Sequence, residues 1–449
     1  MKFRWLIAGL LIFRTLLFAY FVLRHGAYIV NDTGPYVDLA QNLLQFGEFS
    51  RSEAPPFVPE IFRTPGYPVF LAVINLIGIH DPYAILLCQE LIYLLSVLIF
   101  FTYGREVFGQ NMTAAATVFM LVDPSGLYYP KQFLSEVLFM PFVLGGVLAI
   151  GHYSVRNNWR YLLLAGGLFG IGAMVRPALT YFPLLAAGVL LLFHWCSRRV
   201  CWHTGLFLLC FSLMLTPWLA RNYYHFGKLF MSGQASNLFA NYQIADLWQT
   251  ARGIPYYQGQ KLIARQLADS VNRQSQKLQR PLDVVEIYHL QLNFALHEIL
   301  KYPGAYLLQT GFGVLKTMIG TNLTEMYTAL RLPGKRANFY DQQDAGFFAK
   351  VNGFLRAQSG FELSMILFRI LLAGFALLGV LPILRSKNCV LWMILLSNIY
   401  FISIPGSVGV SRFRFPVEVF WFMQAYIGLL WIWGIFIQWR QPGKNSVIN

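Results

Sequence analysis

Residues 83–103 read YAILLCQELIYLLSVLIFFTY, an apolar run of the length that spans a bilayer. About 20 mostly apolar residues suffice for a crossing, and they must be helical, because lipid offers the backbone no hydrogen bonds. Nine further stretches have the same character: 5–23, 112–130, 133–152, 161–179, 181–196, 204–220, 363–384, 389–405 and 416–437. The composition of all 449 residues agrees, with 56% hydrophobic, 16% aromatic and only 12% charged. Soluble proteins carry about 25% charged residues. Disorder, a fibrous repeat and an ordinary soluble enzyme are excluded. The sequence predicts an all-α polytopic membrane protein with about ten transmembrane helices. The first run is long, is interrupted by Arg14 and lacks a small-x-small cleavage site, so it reads as an uncleaved anchor.

The net charge of +15 comes from 35 basic and 20 acidic residues, with no run of like charge, so nucleic acid is not an expected partner. The basic residues follow loop position instead. With the N-terminus inside, Lys2, Arg4, Arg105, Arg156, Arg160, Arg198, Arg199, Arg385, Lys387, Arg440 and Lys444 all fall on inner segments, opposed only by Glu106. That is the bias expected of cytoplasmic loops, and it places both termini in the cytoplasm. The apolar segments 66–79 and 304–320 are read as helices lying along or dipping into the outer face, since spanning by either alone would invert the basic loops between them. Two large outer regions result, 24–82 and 221–362. Within the second, 259–278 reads as a surface helix, Asp283 as the cap of a helix running to about Leu300, Pro303-Gly304 as a break and 321–362 as a loop. The chain divides into a transmembrane module over residues 1–220, the outer region 221–362 and the terminal helices 363–449. Cys88, Cys196, Cys201, Cys210 and Cys389 lie in or beside apolar stretches and read as buried thiols.

Short inner loops and elaborate outer ones place the chemistry outside. The first outer loop contains NDTGPYVDLAQNLLQFGEFS at 31–50 and PEIFRTPGYPVFLA at 59–72. Asp32 or Thr33 reads as a helix cap, with Pro35 opening a short helix that carries Tyr36, Leu39, Leu43 and Leu44 on one face. The same Asp32 also reads as a carboxylate at the membrane surface, made more basic by partial loss of water. Arg63, Arg176, Arg221, Arg412 and Arg414 sit at outer boundaries, where arginines commonly snorkel to head groups. Glu136 starts a span, which the helix dipole favours. The pairs Tyr128-Tyr129, Tyr223-Tyr224 and Tyr256-Tyr257 read as an interfacial belt.

The order of these features resembles one family, the polytopic glycosyltransferases of the C-type fold, and among them the bacterial relatives of protein O-mannosyltransferases and of the lipid A aminoarabinose transferase. Asp32, Tyr36, Leu39, Ala40, Asn42, Leu43, Leu44, Gly47, Phe49 and Ser50 carry the first half of the match, and Arg63, Thr64, Pro65, Gly66, Tyr67 and Pro68 the second. Asp123-Pro124, Ser135-Glu136, Val175-Arg176-Pro177, Thr216-Pro217-Trp218 and Ser411-Arg412-Phe413-Arg414-Phe415-Pro416 resemble later landmarks.

The resemblance implies a sugar donor on polyprenyl phosphate and an inverting transfer to an envelope glycan, lipid or protein outside the cytoplasm, in a bacterial inner membrane. It makes Asp32 the candidate base, Glu136 the second acid, and Arg63, Tyr67, Arg176, Arg412 and Arg414 candidate substrate-binding residues. Relatives differ in metal use, and a divalent metal stays open. Where the aminoarabinose branch has an acid beside its basic residue, this chain has Arg63 and Thr64, and Glu60 lies three residues earlier, its role as a substitute left open. The main alternative is a transporter or lipid flippase, for which Arg14 would be the best mid-membrane residue. A scaffold whose outer loops bind a partner is the other.

Overall fold

The computed structural model describes residues 2–25, 33–193, 197–321 and 358–440, with Gly353 and Arg356 besides. Asp32, Cys196 and most of the 321–362 stretch lie outside the described residues. The described chain is helical throughout, without a named strand; one isolated bridge joins Ser50 and Pro59.

The helices follow the apolar runs. They are α1 (Lys2–His25), α2 (Thr33–Phe46), α3 (Gly66–Leu76), α4 (Pro82–Phe108), α5 (Gln110–Val122), α6 (Pro124–Tyr128), α7 (Ser135–Arg156), α8 (Arg160–Val175), α9 (Phe182–Phe193) and α10 (Arg198–Phe226). The stretch after α10 adds α11 (Gln234–Asn237), α12 (Ile244–Arg252), α13 (Tyr256–Leu278), α14 (Val284–Lys301) and α15 (Pro303–Ile319). The chain closes with α16 (Gly360–Arg385), α17 (Cys389–Ser403) and α18 (Glu418–Arg440). By length and composition α4, α7, α10, α16 and the segment Ser411–Phe436 are able to cross a membrane, and shorter apolar helices accompany them. This is an integral membrane protein. At 11 residues α3 is only about 16 Å long, roughly half of a bilayer core.

The main core is built around α7, whose Val137, Val143, Val147 and Ile150 are all fully buried between α4, α8 and α17. Ionisable residues inside this core are paired, as a medium without water demands. Arg14 donates to Glu90 at 2.8 Å and also reaches the carbonyls of Leu121 and Gly126, tying α1 to α4 and the α5–α6 corner. Arg14 is therefore a structural tie in this fold. Arg369 of α16 joins Glu418 of α18 to Asp123, at 2.5 Å from the latter. Asp123 also caps α6 through the Ser125 amide at 2.9 Å. The α16–α18 contact is close: a methyl group at Gly379 would strike the Gln424 carbonyl, and one at Gly428 the Phe375 carbonyl.

Between α13 and α14 the expected helix cap at Asp283 is present. Asp283 accepts the Glu286 amide at 2.8 Å and Glu286 returns the bond to the Asp283 amide at 2.8 Å. Pro303 both ends α14 and opens α15 as its first residue, where a missing N–H costs nothing. The interfacial-belt expectation fails at Tyr128 and Tyr129, which are 7% and 2% exposed. The chain turns there into the core, and Tyr129 packs on Phe415 at 4.5 Å between ring centres. Tyr223 and Tyr224 are exposed as expected.

Candidate functional site

The loop between α2 and α3 is built by its own polar residues. Asn42 at the end of α2 donates its amide to the carbonyls of Ser50 at 2.8 Å and Ser52 at 2.9 Å, which fastens the turn at Gly47. The Glu60 carboxylate accepts the backbone N–H groups of Ile61, Phe62 and Arg63 at 3.1, 2.6 and 3.3 Å, and it pairs with Arg51. Arg221 holds the Glu60 carbonyl at 2.7 Å. With both carboxylate oxygens engaged inside the loop, Glu60 is not disposed to ligate a metal. Among the described residues no group of three or more His, Cys, Asp or Glu side chains forms a ligand set. The divalent metal left open by the sequence thus has no fitting donor set there.

The Arg63-Thr64-Pro65-Gly66 segment then docks on the end of α8. Thr64 Oγ1 donates to the Val175 carbonyl at 3.2 Å. Gly66 lies so close that an added Cβ would sit 2.7 Å from the Val175 nitrogen and 2.8 Å from the Met174 carbonyl. Those are backbone atoms and cannot swing aside. Gly66→Ala is accordingly expected to destabilise the protein by about 1–3 kcal/mol, the usual cost of overpacking. It should lower the thermal midpoint of the purified protein; an unaltered midpoint would show that the loop is not docked this way.

This docking brings Arg63 and Arg176 near the start of α7, both linked to Ser135, Arg63 by way of Tyr36. Arg63 lies over the Tyr36 ring at 4.8 Å and donates to its hydroxyl at 3.3 Å. The Tyr36 hydroxyl is 3.4 Å from Ser135 Oγ, which also accepts from Arg176 at 3.2 Å. Arg176 and Arg412 both pair with Glu136 through the same oxygen, Oε1. Glu136 is fully buried, and its second oxygen, Oε2, has no hydrogen-bond partner. Tyr67 meets Tyr36 edge-on at 4.8 Å and donates to Gln89 Oε1 at 2.7 Å. Burial, with Tyr36 and Glu136 adding to it, pushes the Tyr67 hydroxyl well above its ordinary pKa, so it stays a donor. Gln89 in turn fixes the carbonyls of Pro130 at 3.2 Å and Gln132 at 2.7 Å, which carry the chain into α7.

Five of the seven residues singled out from the sequence, Arg63, Tyr67, Glu136, Arg176 and Arg412, are thereby linked in one cluster. Arg414 is not among them. It is fully buried, reaches the carbonyls of Thr317 at 2.5 Å, Gly320 at 2.8 Å and Met318, and bonds Glu418 at 3.2 Å. The reason lies in the backbone. Residues 411–413 and 415–417 are 3₁₀ turns, and at three residues per turn positions two apart diverge by roughly 240°. Arg412 therefore faces Glu136 while Arg414 grips the last carbonyls of α15. Asp32 lies outside the described residues. Ser135, Gln89 and the ring of Phe413, which Arg176 covers at 5.4 Å, were not singled out as site residues. Ser135 stands next to Glu136 in the sequence, the one available hint.

The electrostatics are lopsided: two guanidinium groups, Arg176 and Arg412, share one oxygen of a single buried carboxylate, and Arg63 joins them through Tyr36 and Ser135. Arg176 and Arg412 keep 14% and 24% of their side-chain surface exposed, so both guanidinium groups stay partly accessible. Planar forks in such a place suit an anion with several oxygens, such as a phosphate.

A family model for dolichyl-phosphate-mannose-protein mannosyltransferase matches residues 62–220, the stretch from the docked loop through α10. No curated protein matches the chain. Among solved structures, the chain is similar to the archaeal oligosaccharyltransferase AglB from Archaeoglobus fulgidus, in complex with an inhibitory peptide and a dolichol-phosphate. The TM-score is 0.53 at 12% identity, over 99% of this chain and 53% of that one. A second structure of the Archaeoglobus fulgidus oligosaccharyltransferase, with Zn and sulfate, gives 0.50 at 13% identity, over 96% and 50%. ArnT from Cupriavidus metallidurans gives 0.40 at 11%, over 94% and 77%. The chain spans about half the length of the two oligosaccharyltransferase structures. The fold is that of the C-type polytopic membrane glycosyltransferases.

Proposed function

We propose that this chain, built on the C-type glycosyltransferase fold, transfers a sugar from a polyprenyl-phosphate donor to a hydroxyl of an envelope glycan, lipid or protein outside the cytoplasm. The observation that carries the proposal is the arginine-rich cluster around Glu136 at the junction of the first outer loop with α7 and α8. The family match over residues 62–220 supports it, as does a similarly folded enzyme solved with dolichol-phosphate.

In this reading the acceptor oxygen attacks the anomeric carbon and gives its proton to Asp32. The bond from that carbon to the phosphate oxygen breaks, and the electron pair leaves with the polyprenyl phosphate. Displacement from the opposite face inverts the anomeric centre. Arg63, Arg176 and Arg412 meet the charge that grows on the phosphate, where hydrogen bonds to charged groups are strongest. Glu136 Oε1 keeps Arg176 and Arg412 aligned, and Oε2 accepts a hydroxyl of the bound substrate. Tyr67 and Gln89 brace the wall behind it. The positive-inside bias of the short loops supports cytoplasmic termini and a site on the outer face.

The test uses full-length protein in nanodiscs with undecaprenyl phosphate as the probe. Arg412→Gln is expected to weaken binding by about 10- to 100-fold, since a hydrogen bond to a charged group contributes roughly 1.5–3 kcal/mol. Affinity equal to that of the parent would refute the phosphate role. Mass spectrometry of envelope glycans and glycoproteins from a deletion strain would identify the sugar and acceptor; an unchanged envelope would count against glycosyl transfer.

A further inference from the structure

Arg412 belongs to a stretch with little structure of its own. Residues 406–408, 411–413 and 415–417 are three single 3₁₀ turns between α17 and α18. Gly406 and Gly409 take φ of +57° and +60°, which L side chains rarely adopt. The segment is held from the outer region. A methyl at Gly313 of α15 would collide with the Gly406 carbonyl, and one at Gly409 would come within 2.6 Å of Gly313 Cα. The side chain of Gln243, at the end of the π-helical turn Leu238–Gln243, packs on Gly406 and accepts from the Tyr306 hydroxyl at 2.7 Å. In the middle of this contact the buried Ser407 donates to the buried carboxylate of Asp246, on α12, at 3.2 Å.

We propose that Asp246 is a positioning residue: through Ser407 it latches the 406–413 segment to the outer helices and so sets how Arg412 meets Glu136. This deepens the function proposed above, in which Arg412 holds the donor phosphate. It links α12 to a guanidinium at the site through one side-chain bond.

The latch is sensitive to protons. Burial raises the Asp246 carboxyl to about 6, against opposing effects of Lys316 on α15 and of the Ser407 bond. Gln309 of α15 reaches only its backbone carbonyl. On α14, Glu298 is occupied by Trp248, Arg252 and Lys301, and the α13 charges Lys261, Arg265 and Asp269 are exposed. When the segment lifts away, the carboxyl regains water and its ordinary acidity. The latched state therefore binds the proton more tightly than the open one. It is favoured below about pH 4 to 6 and loosened as pH rises through that window.

Hydrogen exchange of the full chain in nanodiscs, followed at the amides of Phe413 and Arg414, tests this. Those amides close turns on Val410 and Ser411 at 3.2 and 3.0 Å, on either side of Arg412. After correction for intrinsic chemistry, their protection is expected to fall between pH 4.5 and 7.5 by up to about 25-fold, the part of a two-unit shift's roughly 100-fold range that lies above pH 4.5. A peptide from the middle of α7 should stay constant. Asp246→Asn, of the same shape, should abolish the pH dependence, and Ser407→Ala should lower protection even at pH 4.5. A flat profile in the parent, or the same slope in Asp246→Asn, would overturn the latch. No substrate is needed, so a failure here is distinct from a failure of sugar transfer.

Discussion

Changing Asp32 to Asn is expected to lower sugar transfer by about 100- to 10,000-fold, the range a positioned general base contributes. The substitution separates the two roles that the sequence leaves to this residue. As an N-cap before Thr33, Asn serves as well as Asp, so a capping role predicts normal activity and normal stability. As a base, Asn has no proton-accepting carboxylate and fails. Binding of undecaprenyl phosphate should stay within about twofold of the parent, because the Arg63, Arg176 and Arg412 side chains are untouched. The measurement is turnover at saturating donor. Parental turnover in Asp32→Asn would remove it from the chemistry.

The second large effect concerns stability. Arg369→Met is expected to cost about 3–5 kcal/mol, because removing one partner leaves buried charge uncompensated. Glu418 would keep Arg414 at 3.2 Å, but Asp123 would lose its ion-pair partner while only 4% exposed. Most of the purified protein should unfold at lower temperature or aggregate on extraction. Adding Asp123→Asn should restore some of the loss, since Asn still caps α6 and carries no charge. If the single and double variants melt together, the Arg369–Asp123 pair is not what secures α16 to the α5–α6 corner.

Long apolar runs were legible because in lipid they admit one backbone solution, and Pro82–Phe108, Gly360–Arg385 and Glu418–Arg440 fall on them, whereas the run read over 112–130 breaks at Asp123 into Gln110–Val122 and Pro124–Tyr128. The Asp283–Glu286 cap was legible for a similar reason: it is local, three residues apart. Arg63, Glu136, Arg176 and Arg412 could be nominated as boundary residues, but their meeting depends on contacts across more than 100 positions, such as Thr64 with Val175. Arg414 shows the limit. Two arginines separated by one residue look equivalent until the 3₁₀ turns send them apart. Tyr128 and Tyr129 mislead in the same way, since a boundary position in sequence does not reveal that the chain folds inward. The buried acids Glu90 and Glu418 were not singled out from the sequence, although charges inside apolar runs require partners in lipid. Their identities, Arg14 and Arg369, needed the fold.

The bare backbone contact of α16 with α18 at Gly379 and Gly428 has a mechanical consequence. Two helices that touch without intervening side chains have no cushion to compress and no room for an acyl tail to wedge between them. They stand as a stiff post at the carboxyl end of the protein.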